Sequence, residues 1–475
     1  MNYFKNQTQF PIVILIPILL VSILIGITIS IENSLALLFL GVLFILILWA
    51  VFPIYYMFII WILASPFLQG RVISIGASFP DLTFDRVFVV LIIIRLTIQF
   101  FQRKIRISWL NIIDIPLILF ISWTIISTML IYPNDISGQL LAIFNQFLLP
   151  LSLFWITRGI IKNERQIKQL FVVFSFSLLF LTFPAIFEEI TKVTIFGEPS
   201  EIVAGVARVR TFTRSAWELG SISAILFSLS LYFLNLPGNI LKKKWQIISL
   251  VFGAIGIFLT FMRGAWLAVI TAILIILIFN KILRRKALPL LFLIIIVFGI
   301  VFISVPSDIV DSVISDRLLN QDNITGRVTA LEQQIHLFLK NPIIGQGIQS
   351  TFRLIDIGSV YTQWNVYARF IISHNFYLSV LVDFGLLSLT LFFPMIMVLI
   401  KGFAFYKSGL SNETTTKSLI ICLIAAALAY LINVATFEVR LFFVPSALFW
   451  VVLGLIINLI KLEENKKVSK PLTYE

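Results

Sequence analysis

Apolar runs about as long as a bilayer is thick recur almost without pause from Phe10 to Ile460. A helix needs about 20 such residues to cross the hydrocarbon, because each residue advances it by about 1.5 Å. The runs fall at 10–31, 35–51, 53–68, 86–102, 112–132, 139–158, 169–187, 217–235, 246–261, 265–280, 288–305, 376–400, 417–436 and 441–460. The second and third, divided at Pro53, are short enough to form one bent helix. The expected fold is therefore an all-α polytopic membrane protein with about twelve to fourteen transmembrane helices, read as a single transmembrane domain over residues 1–475. A water-soluble alternative fails on surface chemistry: only 12% of the residues are charged against 59% hydrophobic, about half the charge fraction of soluble domains.

The net charge of +13 is a statement about sidedness. With Arg103, Lys104 and Arg106 placed in the cytoplasm and the spans alternating, most Lys and Arg fall on inner connections and most acids on outer ones. This arrangement puts both termini in the cytoplasm and needs no nucleic-acid partner. Lys242–Lys244, Lys281 to Lys286 and Lys461 to Lys470 read as stop-transfer clusters that contact membrane lipid headgroups. The first span lacks a following small-residue cleavage site and is expected to remain as an anchor. Cys422, the single cysteine, sits in an apolar run and reads as a core residue.

Two outer connections are long: an Arg-rich loop at 188–216 and a large loop at 306–375. Loops of this length tend to carry function. In the second, Ile324 to Leu339 has an amphipathic helical pattern with Gly326 near its start, and Asn341-Pro342, Gly345 and Gly347 stop it. A small folded cap over the outer face is expected.

Several chemistries are excluded by what the chain lacks. It has no Walker-type glycine loop and no dinucleotide fingerprint, and two histidines in total make a multi-histidine zinc site implausible. No metal or cofactor is expected. The remaining candidates are outer arginines and one histidine. Arg263 lies in Thr260-Phe-Met-Arg-Gly-Ala-Trp between two closely spaced spans, where it either anchors a helix hairpin or meets an anion. Gly264 is expected to tighten that turn and to let a ligand approach. Arg208, Arg210 and Arg214 cluster just before the span at 217–235. They either pair with Glu188, Glu189, Glu198 or Glu201, or clamp a pyrophosphate, since guanidinium presents a rigid fork to phosphate oxygens. Alternation along an extended segment would put Arg208 and Arg210 on one side. His374, in Ser373-His-Asn-Phe-Tyr-Leu, is either a structural interfacial residue or a proton acceptor near neutrality. His336, in the amphipathic run, is a weaker candidate. Trp217, Trp266 and Trp364 read as interfacial or packing residues.

Taken in order, these elements resemble the O-antigen ligase/polymerase family. The pattern is an Arg-rich segment before a helix, Arg263-Gly-Ala-Trp, Gly326-Arg-x-x-Ala-Leu, Asn341-Pro-Ile-Ile-Gly-Gln-Gly and Ser373-His-Asn-Phe-Tyr-Leu, and it spans Arg208 to Gly385. The resemblance implies a membrane glycosyltransferase that takes a glycan from a polyprenyl-diphosphate carrier on the outer face of the bacterial inner membrane. The acceptor would be a lipid A core-like lipid or another glycan, so ligase and polymerase both fit. It further implies that Arg263 and one arginine of the first cluster hold the diphosphate, and that His374 acts at the acceptor hydroxyl. Aligning Leu219-Gly220 with the family pattern favours Arg208. The chain has Arg-Val-Arg-Thr and Ala-Trp where the family has Arg-x-x-Gly and Pro-Asn, which leaves Arg208, Arg210 and Arg214 all open.

The chemistry is compatible. A glycosyl diphosphate is already activated, arginines can stabilise the leaving charge without a metal, and direct displacement with one base predicts inversion. The rival from another class is a transporter or flippase of an anionic substrate, for instance one related to bicarbonate. Transporters place polar groups near the bilayer midplane, whereas here only Arg95 reads as deep. A purely structural scaffold would leave the outer Arg/His set unexplained.

Overall fold

The computed structural model describes residues 52–68, 72–73, 82–103, 111–191, 193, 201–203, 206–213, 215–235, 240–304, 321–350, 375–408 and 414–468. The helices in order are α1 (Ile54–Leu68), α2 (Phe84–Phe101), α3 (Asp114–Ile131), α4 (Ile136–Ile160), α5 (Glu164–Thr191), α6 (Ala216–Ser230), α7 (Ile240–Leu259), α8 (Arg263–Phe279), α9 (Lys281–Ser304), α10 (Gln321–Lys340), α11 (Phe376–Phe384), α12 (Phe392–Lys407), α13 (Thr414–Val434) and α14 (Phe443–Val468). The only strands among the described residues form two short antiparallel ribbons, β1 (Val72–Ile73) with β2 (Leu82–Thr83) and β3 (Glu201–Val203) with β4 (Val206–Arg208). The protein is an all-α polytopic membrane protein. Seven stretches, 114–131, 136–160, 164–191, 216–235, 386–407, 415–434 and 443–466, are long and apolar enough to cross a bilayer, with shorter apolar helices at 54–68, 244–259 and 263–279. The expected spans at 10–31 and 35–51 lie outside the described residues.

The centre of the bundle is α6, buried along nearly its whole length and packed on α5, α7, α8, α13 and α14. Its composition explains why. Gly220 and a series of serines keep the helix thin, and Ser221, Ser228 and Ser230 return their hydroxyls to the carbonyls of Trp217, Ala224 and Leu226 at 2.7 Å. Small residues let backbones approach, and satisfied hydroxyls cost nothing in lipid. A Cβ at Gly220 would already touch Ala265 of α8 at 3.0 Å. Side-chain amides tie the helices together, with Asn433 Nδ2 donating to Ser221 Oγ and Asn235 Nδ2 to Ser418 Oγ, each at 2.7 Å. The rim helices α3 and α12 expose Ile118, Leu119, Met129, Phe393 and Ile396. An apolar belt of that kind is the surface that lipid covers.

The span expected at 376–400 is not one helix. It stops at Gly385, whose φ of 68° lies in the left-handed region, and resumes as a 3-10 turn (Leu386–Leu391) leading into α12. The reason lies in the loop. Gly385 faces the carbonyls of Ile343 and Pro342 so closely that any Cβ would overlap them. Here the Pro-Ile-Ile-Gly-Gln-Gly segment is stitched to the break by main-chain bonds. Gln346 N–H donates to the Val382 carbonyl (2.8 Å), Gly347 N–H to that of Asp383 (2.9 Å), and Leu386 N–H to that of Pro342 (2.8 Å). Gly345 and Gly347 also have positive φ, 86° and 87°. Ser127 Oγ donates to the Ile344 carbonyl (2.8 Å), and Trp123 Nε1 to that of Phe384 (2.7 Å). The loop helix α10 packs on α11, so the cap and the broken helix form one unit.

Arg95, the one arginine expected to lie deep, is half-buried and donates Nη1 to the Phe52 carbonyl at 2.5 Å. Phe52 lies just before α1 at the end of the bundle that carries the C-terminus of α2, so the arginine reaches toward an interface.

Candidate functional site

One end of the bundle collects the starts of α2, α6 and α8, the turn between α13 and α14, and α10 with α11. A cavity of about 190 Å³ opens there, lined by Arg208, Arg263 and Arg327 together with Trp217, Met262 and Thr436. The three arginines come from three separated segments: the end of β4, the first turn of α8 and the loop helix α10. Among the described residues, none that lines the cavity is acidic.

Local structure explains each placement. Arg208 closes the β3–β4 ribbon, paired in register with Glu201, and the next residue, Val209, donates its N–H to the Leu259 carbonyl at the end of α7 (3.4 Å). The Arg208 guanidinium also reaches Met262 Sδ at 3.8 Å. The extended run then ends. Thr211 takes φ of 47°, and Thr213 bonds back to the Arg210 carbonyl through both N–H (2.9 Å) and Oγ1 (2.6 Å). The turn ends the extended run just after Arg210, and of Arg208 and Arg210 it is Arg208 that lines the cavity. Ser215 then caps α6 by accepting from Glu218 N–H at 3.3 Å, in the Ser-x-x-Glu pattern of a helix start.

Arg263 is exposed at the first position of α8, whose N-cap, Met262, makes no side-chain capping bond. The amides of that first turn and the helix dipole therefore add to the positive field of the three arginines. The tight turn before it is carried by Phe261, with φ of 51°, and not by Gly264 as the sequence suggested. Gly264 is needed for packing, because a Cβ there would collide with Thr436 Oγ1 and meet Asn433 Oδ1 at 2.7 Å. Trp266 stacks on Phe258 with ring centres 5.2 Å apart, and Trp217 lies against Phe437 at 5.5 Å, which gives the cavity a stiff aromatic frame.

Arg214 and His374 lie outside the described residues. Asn375, directly after His374, caps α11 by accepting from Leu378 N–H at 3.1 Å. His336 is exposed on α10 and is not among the residues lining the cavity. Among the described residues, no three His, Cys, Asp or Glu side chains come together as metal ligands.

Behind this cavity lies a buried ionic network that the sequence reading passed over. Arg440, in the turn between α13 and α14, holds Glu438 with Nε at 2.8 Å and Nη2 at 3.0 Å, and Asp383 with Nη1 at 2.5 Å. Asp383 also accepts from Gln349 N–H (2.9 Å), Ser350 N–H (3.1 Å) and Ser350 Oγ (2.5 Å). All three charged side chains are buried. Burial alone would lower the Arg440 pKa, but the Glu438 and Asp383 carboxylates outweigh it and raise it, keeping the guanidinium charged. The signal in the sequence was an acid at the end of an apolar run and Glu438-Val-Arg in a very short connection. Arg327 stands within Gly-Arg-x-x-Ala-Leu, a pattern with nothing in it that aims the side chain at Arg263.

Three arginines thus line one cavity at one end of a polytopic helical bundle. The O-antigen ligase family model matches residues 248–393, so this segment of the chain is similar to O-antigen ligases. The matched segment contains Arg263, Arg327, His374 and Asp383, while Arg208 precedes it. No curated protein matches the chain. Among solved structures, a chain from work titled "Structural coordination of polymerization and crosslinking by a peptidoglycan synthase complex" aligns at 14% identity and a TM-score of 0.38, covering 77% of this chain and all of that one.

Proposed function

We propose that the protein transfers a glycan from a polyprenyl-diphosphate carrier to a lipid or glycan acceptor, with the diphosphate held in the three-arginine cavity on the outer face of the inner membrane. The observation that carries this is the convergence of Arg208, Arg263 and Arg327 on one cavity, with no acid among its described lining residues. Guanidinium groups from three separated segments can donate to one anion held in the cavity. The first turn of α8 adds uncapped amides aimed at the same charge.

In this reading the arginines act on the leaving group. As the glycosidic bond to the diphosphate breaks, negative charge grows on the departing oxygen, and preorganised guanidinium donors stabilise it without a metal. His374, which directly precedes Asn375 in the sequence, takes the proton from the acceptor hydroxyl, and a general base contributes ~10²–10⁴-fold. A single displacement inverts the anomeric centre. Arg210 and Arg214 are left as secondary candidates, and the exposed apolar flanks of the bundle accommodate the polyprenyl tail.

The test is glycan transfer by the purified full-length protein in nanodiscs, supplied with polyprenyl-diphosphate-linked glycan and candidate acceptors. Wild-type transfer that falls ~10²–10³-fold in Arg263→Ala and in Arg327→Ala, with both variants still folded, supports the assignment. A product ladder then means polymerase, and a single addition means ligase. Retention at the anomeric carbon would refute single displacement, and anion flux without transfer in proteoliposomes would overturn the whole reading.

A further inference from the structure

The loop helix α10 has three faces where a surface helix ordinarily has two. With successive residues about 100° apart around the axis, Ala330, Gln334 and Leu337 share one side, and all three are buried. Leu337 packs there on Val382 of α11, with Phe338 and Leu378 beside them, and Gln346 Nε2 donates to the Leu337 carbonyl at 2.8 Å. A second side carries Glu332, His336 and Lys340, which are polar and exposed. The third is a row, Val328, Leu331, Ile335 and Leu339, with 50, 42, 42 and 65% of each residue exposed. Each side takes about a third of the circumference. Single exposed aliphatic residues are ordinary, but four in one row form a contiguous apolar patch, the mark of a surface that something covers.

What covers it follows from where the helix is held. Just beyond Leu339, the Pro342 carbonyl accepts from Leu386 N–H, and Leu386 begins the membrane-crossing stretch 386–407. The Ile344 carbonyl accepts from Ser127 Oγ, near the end of the stretch 114–131. Towards its other end, Arg327 lines the arginine cavity with Arg263 and Leu267, from the first two turns of α8. Both ends of α10 thus stand level with the ends of apolar helices, and the helix runs along the rim of the bundle. Leu386, Leu387 and Leu389 are exposed beside the first anchorage, as are Ile126, Met129 and Leu130 of α3. The apolar belt that lipid covers therefore continues to the foot of α10.

We infer that α10 is an interfacial helix, with the row of Val328, Leu331, Ile335 and Leu339 laid into the membrane leaflet at the arginine-cavity end, α11 on one side of it and water on the other. A bilayer surface suits all three faces at once, and the cavity that Arg327 lines then opens at the depth of the lipid headgroups. The inference rests on the chain's spanning a membrane and not on glycan transfer. The test uses the full chain in lipid nanodiscs, in a Cys422→Ser background, with a nitroxide attached to one introduced cysteine at a time. Oxygen concentrates in lipid and a nickel chelate stays in water, so the ratio of their collision rates reads the depth of each label. Leu331→Cys and Ile335→Cys are expected to report labels about 5–10 Å into the boundary between headgroups and acyl chains. Phe393→Cys of α12 is expected to report lipid, and Glu332→Cys and His336→Cys to report water. All five residues are exposed, so labels there leave the packing intact, as size-exclusion chromatography would verify. Labels at Leu331 and Ile335 that meet the nickel chelate as often as the label at His336 does would overturn the inference. Protection of both from oxygen and nickel alike would overturn it too, since protein would then cover the row, and dipolar broadening between labels would mark that protein as a second copy of this chain.

Discussion

Arg263 and Arg327 line the same cavity, yet conservative replacement separates a fork-shaped contact from a point charge. Lysine keeps the positive charge and loses the planar pair of donors. Arg263→Lys is therefore expected to recover only part of the ~10²–10³-fold loss of Arg263→Ala, measured as kcat with saturating donor. Full recovery would mean that charge alone is used there. Asp383 and Arg440 make a different kind of prediction. Removing one member of a buried ionic set strands the others, at a cost of ~3–5 kcal/mol. Arg440→Met is accordingly expected to lower the thermal unfolding temperature in detergent more than Arg263→Ala does, because Arg263 is exposed and Arg440 is not. An unchanged unfolding temperature in Arg440→Met would show that the network contributes little to stability.

At the scale of elements, the glycines carry the argument. Gly345, Gly347 and Gly385 each have positive φ and each lacks room for a Cβ. Gly385→Ala and Gly345→Ala are expected to destabilise the junction of cap and broken helix by about 1–3 kcal/mol each and to reduce transfer without touching the arginine cavity. Wild-type stability in both would remove the junction from the account. The sequence displayed these glycines but not their partners. Asn341-Pro342 with Gly345 and Gly347 was legible as a helix stop, because that is local chemistry. Gly385 sat unremarked inside an apolar run, since hydropathy averages over the single residue that turns the chain. Arg208 and Arg263 were legible as anion-binding types in unusual places. Their convergence with Arg327 was not, because it depends on α10 bringing Arg327 to the cavity that Arg263 lines, a long-range relation that local periodicity does not encode.

For the whole molecule, the alternating helices predict which end faces which compartment. The arginine cavity lies at the end opposite Lys281 and Lys461, so the basic clusters are expected in the cytoplasm. Cys422 is buried, which leaves the native chain nearly silent to thiol reagents. In a Cys422→Ser background, Asp135→Cys is expected to react with an impermeant maleimide in intact cells, and Lys461→Cys only after permeabilisation. The reverse pattern would turn the molecule over and place the cavity in the cytoplasm.

The fastening between cap and bundle has a consequence for how such a sequence can drift. It is made chiefly of main-chain N–H and carbonyl groups of Pro342, Gln346 and Gly347 with Val382, Asp383 and Leu386, groups that nearly every amino acid supplies. Ile343 is largely exposed, so selection has little hold on its identity. What such a fastening holds is spacing, three residues without side chains at fixed intervals, together with the few cap side chains that bond within or across it, such as Asn341, Gln346 and Ser350. A lineage can thus refit the cap to a new glycan by ordinary substitution, whereas insertion or deletion of one residue between Pro342 and Gly347 would be purged.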